Sequence, residues 1–344
     1  MSAGTMYRDA MLACAALVLL VIGAAMLAGA APWTLVQGIA ERALFTRAGL
    51  LEALLRTIPL TIMGLGIALA FRARIFNIGM DGQLIAGSVL AVAVAPLLPG
   101  NAIGVILFLL AGLVGGAIWG GIAGVIRARF GGNEIIATIM LNYVAIQLLS
   151  WLVRGPMQEQ MKIIPRTDAI DAGLRLPILF DGTRIHLGLV IALLVTIVVA
   201  VALTRSRFGF RVDVVGANEY AARYAGIDPR LIAGLLLALS GALAGLAGAV
   251  EVAGVYGRLQ EGFAPGFGIA AIAVALVARL NPIWVPLSAF LFSLLYVGLG
   301  ALARNGVVPA PLINIIEGVI ILVFLAGSVA LAARRQAAKE PVDG

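Results

Sequence analysis

The residues able to do chemistry in this sequence are few, and they stand among apolar neighbours. Residues 71–87 read FRARIFNIGMDGQLIAG, and Asn77, Asp81 and Gln83 interrupt runs of Leu, Ala and Val there. An asparagine, a carboxylate and a glutamine at this spacing can hold a neutral polar solute by hydrogen bonds, or can satisfy one another and the nearby backbone. Asn142 and Asn314 offer the same amide chemistry from later apolar segments, and Glu317 lies within LINIIEGVIILVF. A carboxylate that deep needs a cavity or a polar partner, whereas Asp81 lies near a helix start, where the helix dipole eases its charge. His186 is the single histidine and Cys14 the single cysteine. With Glu134 they are far apart, and no spacing links them as metal ligands or as nucleophile and base. The sequence therefore implies no metal site and no catalytic residues. Neither lysine, Lys162 or Lys339, follows a glycine, so there is no G-x-x-x-x-G-K-[ST] loop for ATP. The chain is expected not to be an enzyme and to bind no cofactor itself.

The elements that must position these groups follow from composition. Of 344 residues, 62% are hydrophobic and 12% charged, with mean hydropathy +1.08, where soluble domains carry roughly a quarter charged residues. Apolar runs long enough to cross a bilayer recur throughout. They predict helices over 10–31, 50–70, 78–98, 102–126, 134–153, 186–204, 231–253, 267–281, 284–303 and 311–331. The fold class is thus an all-α polytopic membrane protein of about ten transmembrane helices. The run 10–31 exceeds a typical signal-peptide core and reads as a retained first helix.

The net charge of +7 comes almost wholly from arginine at the ends of apolar runs, which fits orientation in a membrane better than nucleic-acid binding. Arg72, Arg74, Arg127, Arg129, Arg205, Arg207, Arg211, Arg223, Arg230, Arg279 and the tail Arg334, Arg335 and Lys339 share one side if both termini are cytoplasmic. That places a periplasmic loop at 154–185 and a cytoplasmic loop at 205–230 within one domain, 1–344. Its first half, 50–153, and second half, 231–331, carry interrupted segments, FNIGMDGQ and GFAPGFGIA, in corresponding places. They enter from opposite sides, as inverted repeats flanking a substrate path do.

Gly112, Gly116, Gly120 and Gly124 recur every four residues, and Gly241 and Gly245 repeat the device. Both strips predict close helix packing. In the inside loop, Asn218 is an N-cap, Glu219 an acidic first-turn residue, and Gly226 a terminator followed by Pro229. So short a helix must dock on something. Tyr220 and Tyr224 form an aromatic face suited to docking, on the protein itself or on another chain.

These motifs resemble the permease subunits of ABC importers in the branched-chain amino acid, ribose and nucleoside superfamily. FNIGMDGQLIAGS and GGNEIIATIMLNYVA are most similar to the nucleoside-type permeases, with Asp81 where that pattern usually has Glu. The sugar-type permeases usually carry a different run at 77–88. GANEYAARYAGID is similar to the superfamily's coupling segment, which contacts the ATP-binding subunit. The resemblance covers most of residues 50–331. It implies import of nucleosides or related nucleobases, with ATP used by a partner subunit and coupling through Asn218, Glu219, Tyr220, Ala221, Ala222, Arg223 and Gly226. It also implies a second permease subunit, an extracytoplasmic substrate-binding protein, and residence in the bacterial cytoplasmic (inner) membrane. Sugars or branched-chain amino acids are the alternative cargoes. Proton-coupled transport through Glu317 and Asp81 is the alternative mechanism.

Overall fold

The computed structural model describes residues 23, 32–263, 266–306, 311, 314–315 and 318–319. Among them every regular element is helical, with two isolated bridges, Arg166 to Gln260 and Ile178 to His186. The helices are α1 (Pro32–Ala43), α2 (Arg47–Arg72), α3 (Met80–Val94), α4 (Ala102–Phe130), α5 (Glu134–Arg154), α6 (Gly188–Arg205), α7 (Arg207–Ala217), α8 (Glu219–Tyr224), α9 (Pro229–Glu251), α10 (Phe267–Val277) and α11 (Val285–Arg304). A 3-10 turn extends α3 to Leu97, and a π turn, Val252–Tyr256, extends α9.

Seven helices among the described residues are long and apolar enough to cross a membrane, so the chain is a multi-pass membrane protein. The short 267–281 run, included among the ten expected helices without a settled full crossing, forms a helix too short to span. The helix there has 11 residues and a length of about 16 Å, half of the roughly 30 Å hydrocarbon core. The expected helices 10–31 and 311–331 fall almost wholly outside the described residues. Helices α1 and α7 lie where the sequence suggested loops.

The chain forms two compact units, Leu54–Phe292 and the pair Met1–Ala53 with Ser293–Gly344. In the smaller, α1 packs on the end of α11. A Cβ on Gly298 would come 2.8 Å from the Cα of Ile39, and Leu302 covers Gly38. In the larger, α2 is apolar all round and buried, as a core helix is. Asn101 caps α4 through the amides of Ile103 and Gly104, at 3.0 and 3.1 Å. Gly131 ends α4 in the left-handed region at φ 64°, and Asn133 caps α5.

The centre of this unit is a seam where α3, α4 and α9 meet backbone to backbone. A Cβ on Gly116 would overlap the carbonyl of Gly241 and lie 2.7 Å from the Cα of Gly245. One on Gly245 would overlap the carbonyl of Gly112, and one on Gly241 that of Gly116. Gly120 faces the carbonyl of Leu237, Gly124 that of Gly234, and Gly87 of α3 meets Gly245 from the other side. Two side-chain-free strips at fourfold spacing thus bring whole helices into van der Waals contact, the packing that works where lipid offers no hydrophobic drive.

Candidate functional site

Helix α2 ends at Arg72, whose guanidinium pairs with the Asp213 carboxylate of α7 in a two-bond fork. Arg74 then takes a left-handed turn at φ 59°, and residues 75–79 form no regular element before α3 begins. Five residues, even fully extended, cover at most about 17 Å. Their far end is fixed by Asn142, whose Nδ2 donates to the carbonyl of Ile78 at 2.8 Å. Asn142 lies eight residues into α5, about 12 Å along the helix. The chain therefore re-enters from the arginine-rich side, and α3 starts inside the span.

Non-helical backbone at that depth needs internal partners, and the polar residues supply them. Asn77 is fully buried. Its Nδ2 donates to Gln83 Oε1 at 2.8 Å and to Ser240 Oγ of α9 at 2.9 Å. Its Oδ1 accepts from the amide of Gly79 at 2.9 Å and from Gln83 Nε2 at 3.1 Å. Asn142 Oδ1 accepts from the amide of Gly82 at 2.8 Å, and Thr138 Oγ1 accepts from that of Ile78 at 3.3 Å. Gly82 has to be glycine, because a Cβ would lie 2.9 Å from the Cα of Asn142. Asn77, Gln83 and Asn142, expected along a substrate path, thus have their polar atoms turned to the protein. Ser240 joins α9 to this network, and nothing in its flanking sequence, LALSGAL, singled it out.

Asp81 reaches a different partner. Its Oδ1 accepts from the amide of Gly268 at 2.8 Å, one of the unpaired N–H groups in the first turn of α10. The carboxylate thus serves two helix starts, its own and that of α10. The two interruptions read in FNIGMDGQ and GFAPGFGIA meet at this bond. Asn314 is helical and exposed, and Glu317 lies outside the described residues.

On the arginine-rich side, Ser206 caps α7, and a Cβ on Gly216 would overlap the carbonyl of Arg72. Asn218 caps α8 through the amides of Tyr220 and Ala221, at 2.8 and 3.2 Å. Ala222 is fully buried, and Glu219 lies 3.9 Å from Arg127, which also holds Glu134 at 3.1 Å. Gly226 ends the segment at φ 74°, and Asp228 caps α9. Ala221 and Arg223 lie within this turn of helix. Tyr220 and Tyr224 point outward, 76% and 95% exposed.

At the opposite end, Glu261 accepts from Ser150 and from both arms of Arg154, at 2.7 and 2.8 Å. The Arg154 hydrogen bonds, then that from Ser150, hold its carboxyl well below the usual range. His186 is fully buried there. Its Nδ1 accepts from the amide of Gly188 at 3.1 Å, which leaves the proton on Nε2. Burial first, and then the charge of Arg184, lower its pKa to about 4. No group of three metal-ligating side chains occurs among the described residues.

Span-length helices, with the starts of α3 and α10 joined through Asp81, define a polytopic α-helical membrane protein. The chain belongs to the family described as branched-chain amino acid transport system / permease component, which it matches over residues 49–325. It is similar to the glucose ABC transporter permease protein TsgB13 of Haloferax volcanii, at 37% identity over 80% of this chain and 76% of that protein. It is 35% identical to the guanosine ABC transporter permease protein NupP of Bacillus subtilis, over 81% of each. The nucleoside ABC transporter permease protein NupB of Lactococcus lactis is 31% identical, over 76% of this chain and 75% of that protein.

Proposed function

We propose that this chain is the membrane-spanning subunit of an ATP-driven importer of nucleosides or related nucleobases. It sits in the bacterial cytoplasmic membrane with its arginine-rich side, and both termini, inside. A second permease subunit completes the path, an extracytoplasmic binding protein delivers the solute, and a separate subunit hydrolyses ATP. The observation that carries this reading is α8. Its inner face is fixed by the Asn218 cap and the buried Ala222, while Tyr220 and Tyr224 stand exposed, with little from the other described residues to cover them. Paired exposed aromatics on a held helix suit an interface anchor.

Movement at α8 has a short route inward. Helix α7, next in the chain, is forked to the end of α2 by Asp213 and Arg72, and the non-helical segment 75–79 runs from there to Asp81 and α10. Closure of the ATPase against α8 would shift the starts of α3 and α10 against each other. The guanosine and nucleoside relatives, with the FNIGMDGQ motif, support nucleosides as cargo. The glucose permease relative supports a sugar as the second reading.

The test is to tag the chain, extract it gently from native membranes and identify what accompanies it. An ATP-binding subunit is expected in fixed ratio, reduced at least about tenfold by Tyr220→Ala with Tyr224→Ala, without change in the permease's melting temperature. A chain that purifies alone and moves guanosine in vesicles without ATP would overturn the reading.

A further inference from the structure

Among the described residues, helix α5 is the least enclosed of the spans, with 17% of its apolar stretch buried against 83% for α2. Its open face is not what lipid would select. Tyr143, Gln147, Ser150 and Arg154 follow one another at helical spacing and share that face. Tyr143 is 63% exposed, and Gln147 is exposed as well. Neither side chain has a hydrogen-bond partner among the described residues. Both lie in the middle third of a helix about 31 Å long, at a depth where hydrocarbon satisfies no polar group. Lipid-facing tyrosines belong at the interfaces instead.

The polarity of the face is also graded. From the end bearing the Arg154–Glu261 pair the row Ser150, Gln147 and Tyr143 is polar to mid-depth, flanked on the same open side by the exposed apolar Trp151, Ile146 and Val144. Towards the arginine-rich side it becomes apolar, with Met140 and Ile136 exposed. A lipid-facing helix runs the other way, apolar in the middle and polar at its ends. Helix α6 does so, exposing Leu193, Leu194, Ile197, Val198 and Val201. Asn142, one residue from Tyr143, points into the Gly82 junction and takes no part in this face.

We propose that the Tyr143–Gln147–Ser150–Arg154 face of α5 lines the outer, water-filled half of the solute path. Tyr143 and Gln147 form its inner end and bind a neutral, ring-bearing solute. The phenol ring offers a stacking surface for a base, and the amide offers a donor and an acceptor for its edge. Met140 and Ile136 form the dry barrier below. The solute class rests on the import reading above; the wet face does not.

The test uses the transporter with its partners in native membranes. Single cysteines replace Tyr143, Gln147 or, as a lipid-facing control, Val198, in a Cys14→Ser background. The probe is a cationic methanethiosulfonate added from outside, which reacts with the thiolate that forms only in contact with water. Tyr143→Cys and Gln147→Cys are expected to react at least about tenfold faster than Val198→Cys, and guanosine in excess is expected to slow both. Rates no faster than at Val198 would place this face against lipid or a dry partner and overturn the proposal. Fast labelling that guanosine leaves unchanged, in a transporter that imports guanosine, would overturn the binding role of Tyr143 and Gln147. A wild-type transporter that imports no guanosine would count against the import reading, and the labelling rates would still decide the wet face.

Discussion

Asn77 and Gln147 are both amides at the middle of the membrane region, and they have opposite surroundings. Asn77 is fully buried, and its amide meets Gln83, Ser240 and the backbone of Gly79. Gln147 stands exposed on an open helix face, with no partner for its amide among the described residues. The first closes a gap where non-helical backbone crosses the membrane interior, and the second leaves its valences to whatever approaches. Residue type therefore does not separate architecture from function in a bilayer. The partners of each polar atom do.

The comparison can be broken most severely at the seam that supports the first site. Gly245→Leu drives a side chain into the backbone of α4 and is expected to abolish recovery of folded protein from membranes, at a cost on the order of 3 kcal/mol or more. Gly121→Ala, whose added carbon would meet nothing nearer than 3.9 Å, is expected to leave the yield unchanged. Asn77→Leu leaves the Gln83 amide without a side-chain partner and Ser240 with only the Met80 sulfur, and should cost about 1–3 kcal/mol, read as a lower melting temperature in detergent. Gln147→Ala should do the reverse. The melting temperature stays and the KM for guanosine uptake rises about fivefold, the equivalent of one hydrogen bond of about 1 kcal/mol. Equal effects on stability from the two amide variants would erase the distinction.

The smallest effect concerns His186. Its pKa is lowered from 6.5 to about 4 in the fold, so the unfolded chain takes up a proton first as pH falls. Its contribution to stability is complete above pH 6.5 and is lost progressively as pH falls towards 4. The melting temperature should fall between pH 7 and 5, and His186→Gln should flatten that slope. An equal slope in the variant would assign the effect to other groups.

Much of the architecture was legible in the sequence because hydrocarbon imposes simple rules. Run length located α2 to α6, α9 and α11, glycine spacing anticipated the strips that meet in the seam, and Asn218 with Gly226 marked the bounds of α8. Other features depended on contacts that no local pattern encodes. The 267–281 run is apolar enough to span, but Arg279 and Leu280 both turn left-handed, at φ 54° and 57°, and the helix stops at Val277. The polar residues of FNIGMDGQ were visible as a cluster. Their partners Ser240, Asn142 and Gly268 are distant in sequence, so the choice between solute contact and internal satisfaction could not be read from the motif.

The glycine seam also sets a schedule for biogenesis. Gly112 to Gly124 leave the ribosome long before Gly241 and Gly245, which follow about 120 residues later, or roughly 6 to 24 s at 5–20 residues per second. Through that interval the bare strip of α4 has no complementary helix, and Asn77 lacks its Ser240 acceptor. The nascent first half must wait in the membrane, shielded by lipid or by an insertion factor, until α9 arrives and closes the core in one late step.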